Sequence, residues 1–256
     1  MKRLLFATAS VLAFMAARPS LSADLGPVVP VYTPPVAPVA LFTWTGCYLG
    51  GHIGAGFGRK IFSDTPTGTL VTVSTGSPSV EFHTSGFLGG GQVGCNYQFA
   101  QSWVIGIEGE ISGADLAGSQ NFVFAGQPAG LATFHAKSNW LASATGRVGY
   151  AAGPWLFYAK GGGAWTHDKY SIADPVSTWT ASGTRSGWTA GVGFEYAMTD
   201  RWSFKLEYDF YDFGHRNLTF VDGTAGSFVE DVKQQIHAGT FSINYRFGPG
   251  QSWAHY

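Results

Sequence analysis

The residues able to do chemistry are few. Cys47 and Cys95 are the only two cysteines among 256 residues. In an oxidising compartment such a pair favours a disulfide, provided the Cα atoms approach within ~7 Å. The alternative is two free, small apolar residues, and the companion ligands of a metal site are missing. Of seven histidines, His83, His135, His167 and His215 sit in or near long polar stretches. There they are either solvated or gathered around haem or a metal. "GGGQVG" (residues 89–94) has the glycine spacing of a dinucleotide site, which needs a strand before it and a helix after it. Cys95, Asn96 and Tyr97 instead continue a strand alternation, so these glycines read as packing residues. The chain holds no H-E-x-x-H and no nucleophile elbow. A Ser–His pair at a rim, as a lipid-modifying enzyme would use, has no motif behind it.

The remaining reactive groups are charges, and these are ordered. Glu108, Glu110, Glu195, Glu207 and Asp209 oppose Arg147, Lys160, Lys205 and Arg246. Each falls on one parity of a period-2 run whose other parity is apolar. In "SFKLEYDFYDFG" (203–214), Phe204, Leu206, Tyr208 and Phe210 alternate with Ser203, Lys205, Glu207 and Asp209. Strict alternation of this kind marks a strand with two unlike faces.

Eight such runs follow one another, at about 47–58, 85–99, 103–113, 136–150, 155–167, 184–198, 202–213 and 234–247. The links after the even-numbered runs are tight ("AQS", "AAGP", "TDR"). Those after the odd-numbered runs are long and polar. An up-and-down meander collects all tight turns at one end and all long loops at the other, as membrane-spanning barrels do. Trp44, Trp103, Trp155 and Trp202 stand at the starts of odd-numbered runs. With Tyr97, Phe99, Tyr150, Tyr196, Tyr245 and Phe247 they compose one interfacial aromatic ring at the tight-turn end. Trp140, Trp165 and Trp188 would populate the opposite ring.

The parity decides which face is which. Five acids and four bases make a self-compensating interior, because buried charge is tolerated only when paired and hydrogen-bonded. The expectation is therefore all-β: an eight-stranded antiparallel transmembrane β-barrel, apolar outside and polar inside, over residues 44–248. Both cysteines lie on the apolar parity near the tight-turn end. Eight strands leave room for little more than side chains, so an open channel is not implied and at most a narrow path is expected.

The flanks agree with export. Lys2 and Arg3 precede the apolar Leu4 to Ala17, which reads as a signal peptide over 1–23 cut after Ser22 or Ala23. Prolines crowd residues 24–43, an extended periplasmic lead-in. Residues 249–256 form a short tail. A net charge of −1 gives no reason to propose nucleic acid.

"FTWTGCYLGGHIGAGFG" resembles the opening strand of the opacity-type eight-stranded outer-membrane proteins of alphaproteobacteria, the porin-family surface antigens. "GGGQVGCNYQF", "WVIGIEGEISG", "GRVGYAAGPWLFYAKGGGAW", "GWTAGVGFEYAMTDRWSFKLEYDFYDFG" and "FSINYRFG" are similar to that family's later strands, in order. The resemblance implies a non-enzymatic structural or surface-exposed protein of the Gram-negative outer membrane. It carries over no catalytic residue and no cofactor. The partners implied are outer-membrane lipid, the barrel-assembly machinery, and an extracellular ligand or host surface met by the loops. Some relatives bind haemin or form weak pores, so a haem or ligand receptor is the alternative, ahead of a lipid-modifying enzyme. One departure is that "INYRF" ends at Phe247 and "GPGQSWAHY" follows it.

Overall fold

A computed structural model describes residues 42–64, 79–123, 131–173, 178–222 and 226–247. The signal (1–23), the lead-in apart from Phe42 and Thr43, and the tail (249–256) lie outside the described residues. Eight strands follow in chain order: β1 (Gly46–Asp64), β2 (Ser79–Phe99), β3 (Trp103–Val123), β4 (Leu131–Ala152), β5 (Trp155–Ala173), β6 (Thr178–Ala197), β7 (Trp202–Asp222) and β8 (Gly226–Phe247). Each pairs antiparallel with the next, and β1 pairs with β8 to close the ring. Closure leaves no strand edge in the apolar zone, where an unpaired backbone group would find no water.

The tight turns are at Ala100–Ser102, Gly153–Pro154 and Met198–Arg201. Ala100 and Gln101 adopt φ of 46° and 66° and Gly153 one of 59°, as so tight a reversal requires. The outward face above these turns is apolar on every strand, and among the described residues its large side chains include Ile53, Phe87, Ile107, Phe157, Val192, Leu206 and Phe241. On β5 the band runs from Trp155 to Trp165. Ten steps of ~3.3 Å at a tilt of ~40° make a height of about 25 Å, that of a membrane's apolar zone.

The strands are 19 to 22 residues long, about twice the ~9–11 residues that cross a membrane. Apart from Gly46 and residues 151–152 at the tight-turn end, the extension beyond the sequence-based limits is at the long-loop end, where residues 59–64 and 168–173, read as loop, are strand. There the outward face turns charged. Arg59 pairs with Glu81 at 2.5 Å, Lys137 with Asp115 at 2.7 Å and His215 with Asp231 at 3.2 Å. The inward face becomes apolar in exchange: Phe134, Tyr170, Ile172, Leu218, Phe220 and Val232 pack together. The alternation does not stop at the membrane boundary. It changes sides, and a search for outward apolar residues loses it there.

The ring also changes shape. The β2–β3 ladder ends at Ser85–Ala117, and between Trp188–Asp212 and Thr180–Val221 no β6–β7 pair forms among the described residues. Two seams thus separate β3 to β6 from β7, β8, β1 and β2. The apolar cluster of β4, β5 and β6 against β7 and β8 fills the space between these two sheets. Across the β6–β7 seam, Arg216 donates to the Thr184 carbonyl in place of the missing ladder.

Candidate functional site

The lumen is packed in layers, and the first is a departure from expectation. Trp44 is 1% exposed; it is no interfacial residue. It precedes β1, whose first residue, Gly46, has φ of 142°. The chain there turns inward, with the backbone N–H of Trp44 donating to Gln98 Oε1 at 2.7 Å. The indole then packs with Val104, Ala151, Leu156 and Ala197 across the barrel mouth. Trp103, Trp155 and Trp202 do face outward, at 48%, 38% and 47% exposure. Each meets a ring on a neighbouring strand: Tyr150 at 5.8 Å, Tyr196 at 4.6 Å and Tyr245 at 5.0 Å. Trp165 and Trp188 are exposed on the upper side of the band.

Arg246 also departs from expectation. It is buried, but no ion pair among the described residues includes it. Its guanidinium lies over Trp44 (4.6 Å) and Phe42 (4.9 Å) and donates to the Thr43 carbonyl at 2.8 Å. Arg246 thus belongs to the mouth and holds the entering chain by cation–π contact.

Above the mouth come the other eight charges, all inward and buried. Lys160 is their hub. Its Nζ contacts Glu207 and lies 3.2 Å from Asp209 and 3.5 Å from both Glu108 and Glu110. Lys205 reaches Glu108 at 2.9 Å and Glu207 at 3.3 Å. Arg147 stands 3.6 Å from Glu108 and 3.7 Å from Glu195, between the rings of Tyr48 and Tyr158. Those tyrosines donate to Glu108 at 2.6 Å and Glu207 at 2.5 Å. Glu195 accepts from Ser203 at 2.5 Å and Asn244 at 3.0 Å. Carboxylate oxygens of Glu108, Glu110 and Glu207 lie within 4.8 Å of one another. The Lys160 ammonium already occupies the place a metal would take.

Glycines on the same face make the crowding feasible. A Cβ on Gly193 would stand 2.6 Å from the Tyr158 hydroxyl, and one on Gly50 2.7 Å from Gln92 Nε2. "GGGQVG" lies wholly within β2, with no helix after it; it is strand packing.

Sequence reasoning missed His52. Its ring bonds Gln92 and Ser112, each at 2.7 Å, and lies 3.5 Å from Glu110. This is a Ser–His pair, but a buried one inside the barrel and not at a rim. It also missed a second charged layer near the long-loop end. Lys60 Nζ is 3.0 Å from Asp168, which also accepts from Ser138 and from Gln234 at 3.2 Å; Arg185 lies 3.7 Å away. The signal was present: Lys60 shares parity with Tyr48 and His52, and Asp168 with Lys160. Between the two charged layers lies an apolar one containing Leu88, Leu116, Leu141, Tyr211, Phe213 and Ile236.

Cys47 and Cys95 stand directly opposite in the β1–β2 ladder and are bonded, with Cα atoms 3.9 Å apart. The four histidines near the long loops are on four strands, β2, β4, β5 and β7. His83 lies 3.6 Å from Glu81, His167 bonds Thr184 at 3.1 Å, and His215 pairs with Asp231. Among the described residues they form no common ligand set.

Comparison with known proteins gives a consistent result. A family model described as the outer membrane protein β-barrel domain matches residues 40–247. A 31 kDa outer-membrane immunogenic protein of Brucella melitensis is 34% identical over 246 residues, covering 92% of this chain and 97% of that protein. A 22 kDa outer membrane protein of Rhizobium leguminosarum is 30% identical, covering 74% and 73%. Among solved structures, the Escherichia coli outer membrane protease OmpT superposes with a TM-score of 0.50 at 7% identity, over 80% of this chain and 98% of that one. That likeness concerns the fold alone.

Proposed function

This chain belongs to the outer-membrane β-barrel family of alphaproteobacteria represented by these relatives, and on that premise we propose a non-enzymatic structural and surface-displaying role, without an open channel. It is a protein of the Gram-negative outer membrane, with its tight turns periplasmic and its long loops outside.

The observation that carries the reading is the filled lumen. Three apolar clusters cross it, with charged layers between them. An ion crossing would have to displace Trp44, Lys160 and the layer of Leu116 and Tyr211 in turn. Buried ion pairs release their partners only at several kcal/mol. The membrane half therefore acts as an anchor, and the extracellular half raises the loops above the lipid. The buried setting of the Ser112–His52 pair leaves it without access to a substrate, which supports a non-enzymatic role. The loops would carry contact with an extracellular ligand or host surface.

Single-channel recording of the refolded protein in planar bilayers tests this, with heat-modifiable gel mobility as proof of folding. Folded, inserted and electrically silent protein is the expected result. Discrete, reproducible openings would overturn the plugged-lumen reading.

A further inference from the structure

The outer surface of the extracellular half carries a groove of about 890 Å³, lined by the outward faces of β3 to β6 and the end of β7. Lys137 on β4 and Lys169 on β5 stand directly opposite each other in it. Two like charges at opposed cross-strand positions oppose folding, so the pair has no value to the sheet itself. His135 lines the same groove and adds a third nitrogen base. The facing acid is Asp115, which pairs with Lys137 at 2.7 Å; among the described residues no acid pairs with Lys169. Ser171 and Ser182 add hydroxyl donors. The groove thus offers an excess of positive charge and donors, and lacks an anion.

Its position indicates the anion's source. The groove residues lie on the same outward face that below bears Trp165 and the lipid-facing band, so the groove opens sideways, along the membrane. Lys169 is four residues beyond Trp165, a height of roughly 10 Å. Headgroups occupy a layer of ~5–8 Å beyond the apolar zone, and a lysine side chain extends to reach it. We propose that Lys137 and Lys169, with His135, form a binding site for the anionic saccharide headgroup of an outer-leaflet glycolipid, held against the barrel wall.

The test is titration of the refolded full-length protein in detergent with diphosphoryl lipid A, comparing wild type, the double variant K137Q/K169Q and the double variant K137R/K169R. A basic residue at an anionic membrane surface contributes a factor of about five, so losing both weakens binding by about 25-fold. The arginine variant retains the charge and binds lipid A at least as tightly as wild type does. Raising NaCl from about 50 to 300 mM weakens the wild type, a readout that needs no variant. Equal affinity of the wild-type and glutamine proteins, with both shown folded by heat-modifiable mobility, would overturn the site. So would salt-independent binding. Inositol hexakisphosphate bound as tightly as lipid A, with the same lysine dependence, would overturn the glycolipid assignment.

Discussion

Along β7, Phe204, Leu206 and Tyr208 face outward while Lys205, Glu207 and Asp209 face the lumen. Further along the same strand, Leu218 and Phe220 face inward and Asn217 and Thr219 are exposed. One chain thus follows two opposite rules within a single strand. In the lower half the surroundings are lipid, as apolar as any side chain, so burying apolar groups inside would gain nothing. Cohesion there comes from backbone ladders and a hydrogen-bonded ionic core. In the upper half the surroundings are water, and the ordinary hydrophobic effect can hold two sheets together. The seams at β2–β3 and β6–β7 mark where a closed ring is no longer obligatory.

The sharpest way to break this contrast is to remove the ionic hub. Lys160→Met leaves four carboxylates without their shared ammonium and should cost about 3–5 kcal/mol, read as a lower urea midpoint in lipid vesicles. A loss below about 1 kcal/mol would contradict an ionic core. Next, Leu206→Arg places a charge at mid-height of the lipid band and should cost ~2–4 kcal/mol. Asn217→Arg, outward on the same strand but above the membrane, should stay within ~0.5 kcal/mol. Similar losses in both would erase the boundary between the halves. Leu218→Ala opens a cavity between the two upper sheets, at a cost of about 2 kcal/mol. It should admit protease to the upper half while the lower half keeps its heat-modifiable mobility.

A pH dependence of the upper half is also expected. Burial pushes Lys60 down to about 8 from its ordinary value near 10.5, although Asp168 beside it pulls the other way. The folded state therefore resists a proton that the unfolded chain accepts between these values. Stability should rise as pH increases from about 8 to 10.5 and level off on either side. A thermal melt followed across that window in wild type and Lys60→Met checks this, since the variant should lose the slope.

Which parts of this were legible in the sequence follows from the same contrast. Period-2 alternation between rings and charges, as from Phe204 to Phe210, is unmistakable because lipid demands an apolar outer face without exception. Strand number, closure and the inward set from Glu108 to Asp209 were readable from it. Beyond Trp165 the outward residues are His167, Lys169 and Ser171, and apolar parity passes to Tyr170 and Ile172. A reader following outward apolar residues stops there, and with it misses Lys60, Asp168 and Arg185. Trp44 and Arg246 were misassigned for another reason. Parity assumes a strand, and Trp44 precedes one. Arg246 has the right parity but lies level with the entering chain, where Phe42 and Trp44 meet its charge before any acid does.

The bond between Cys47 and Cys95 has a consequence for how this hairpin finds its alignment. Sliding β1 past β2 by one residue would exchange inside for outside, and lipid itself would reject that error. Sliding by two keeps every face correct and would pass unnoticed by the surroundings. Only a mark at one fixed rung detects it. Because the two sulfurs meet only when residue 47 faces residue 95, the bond admits one register of this hairpin and excludes its two-residue neighbours.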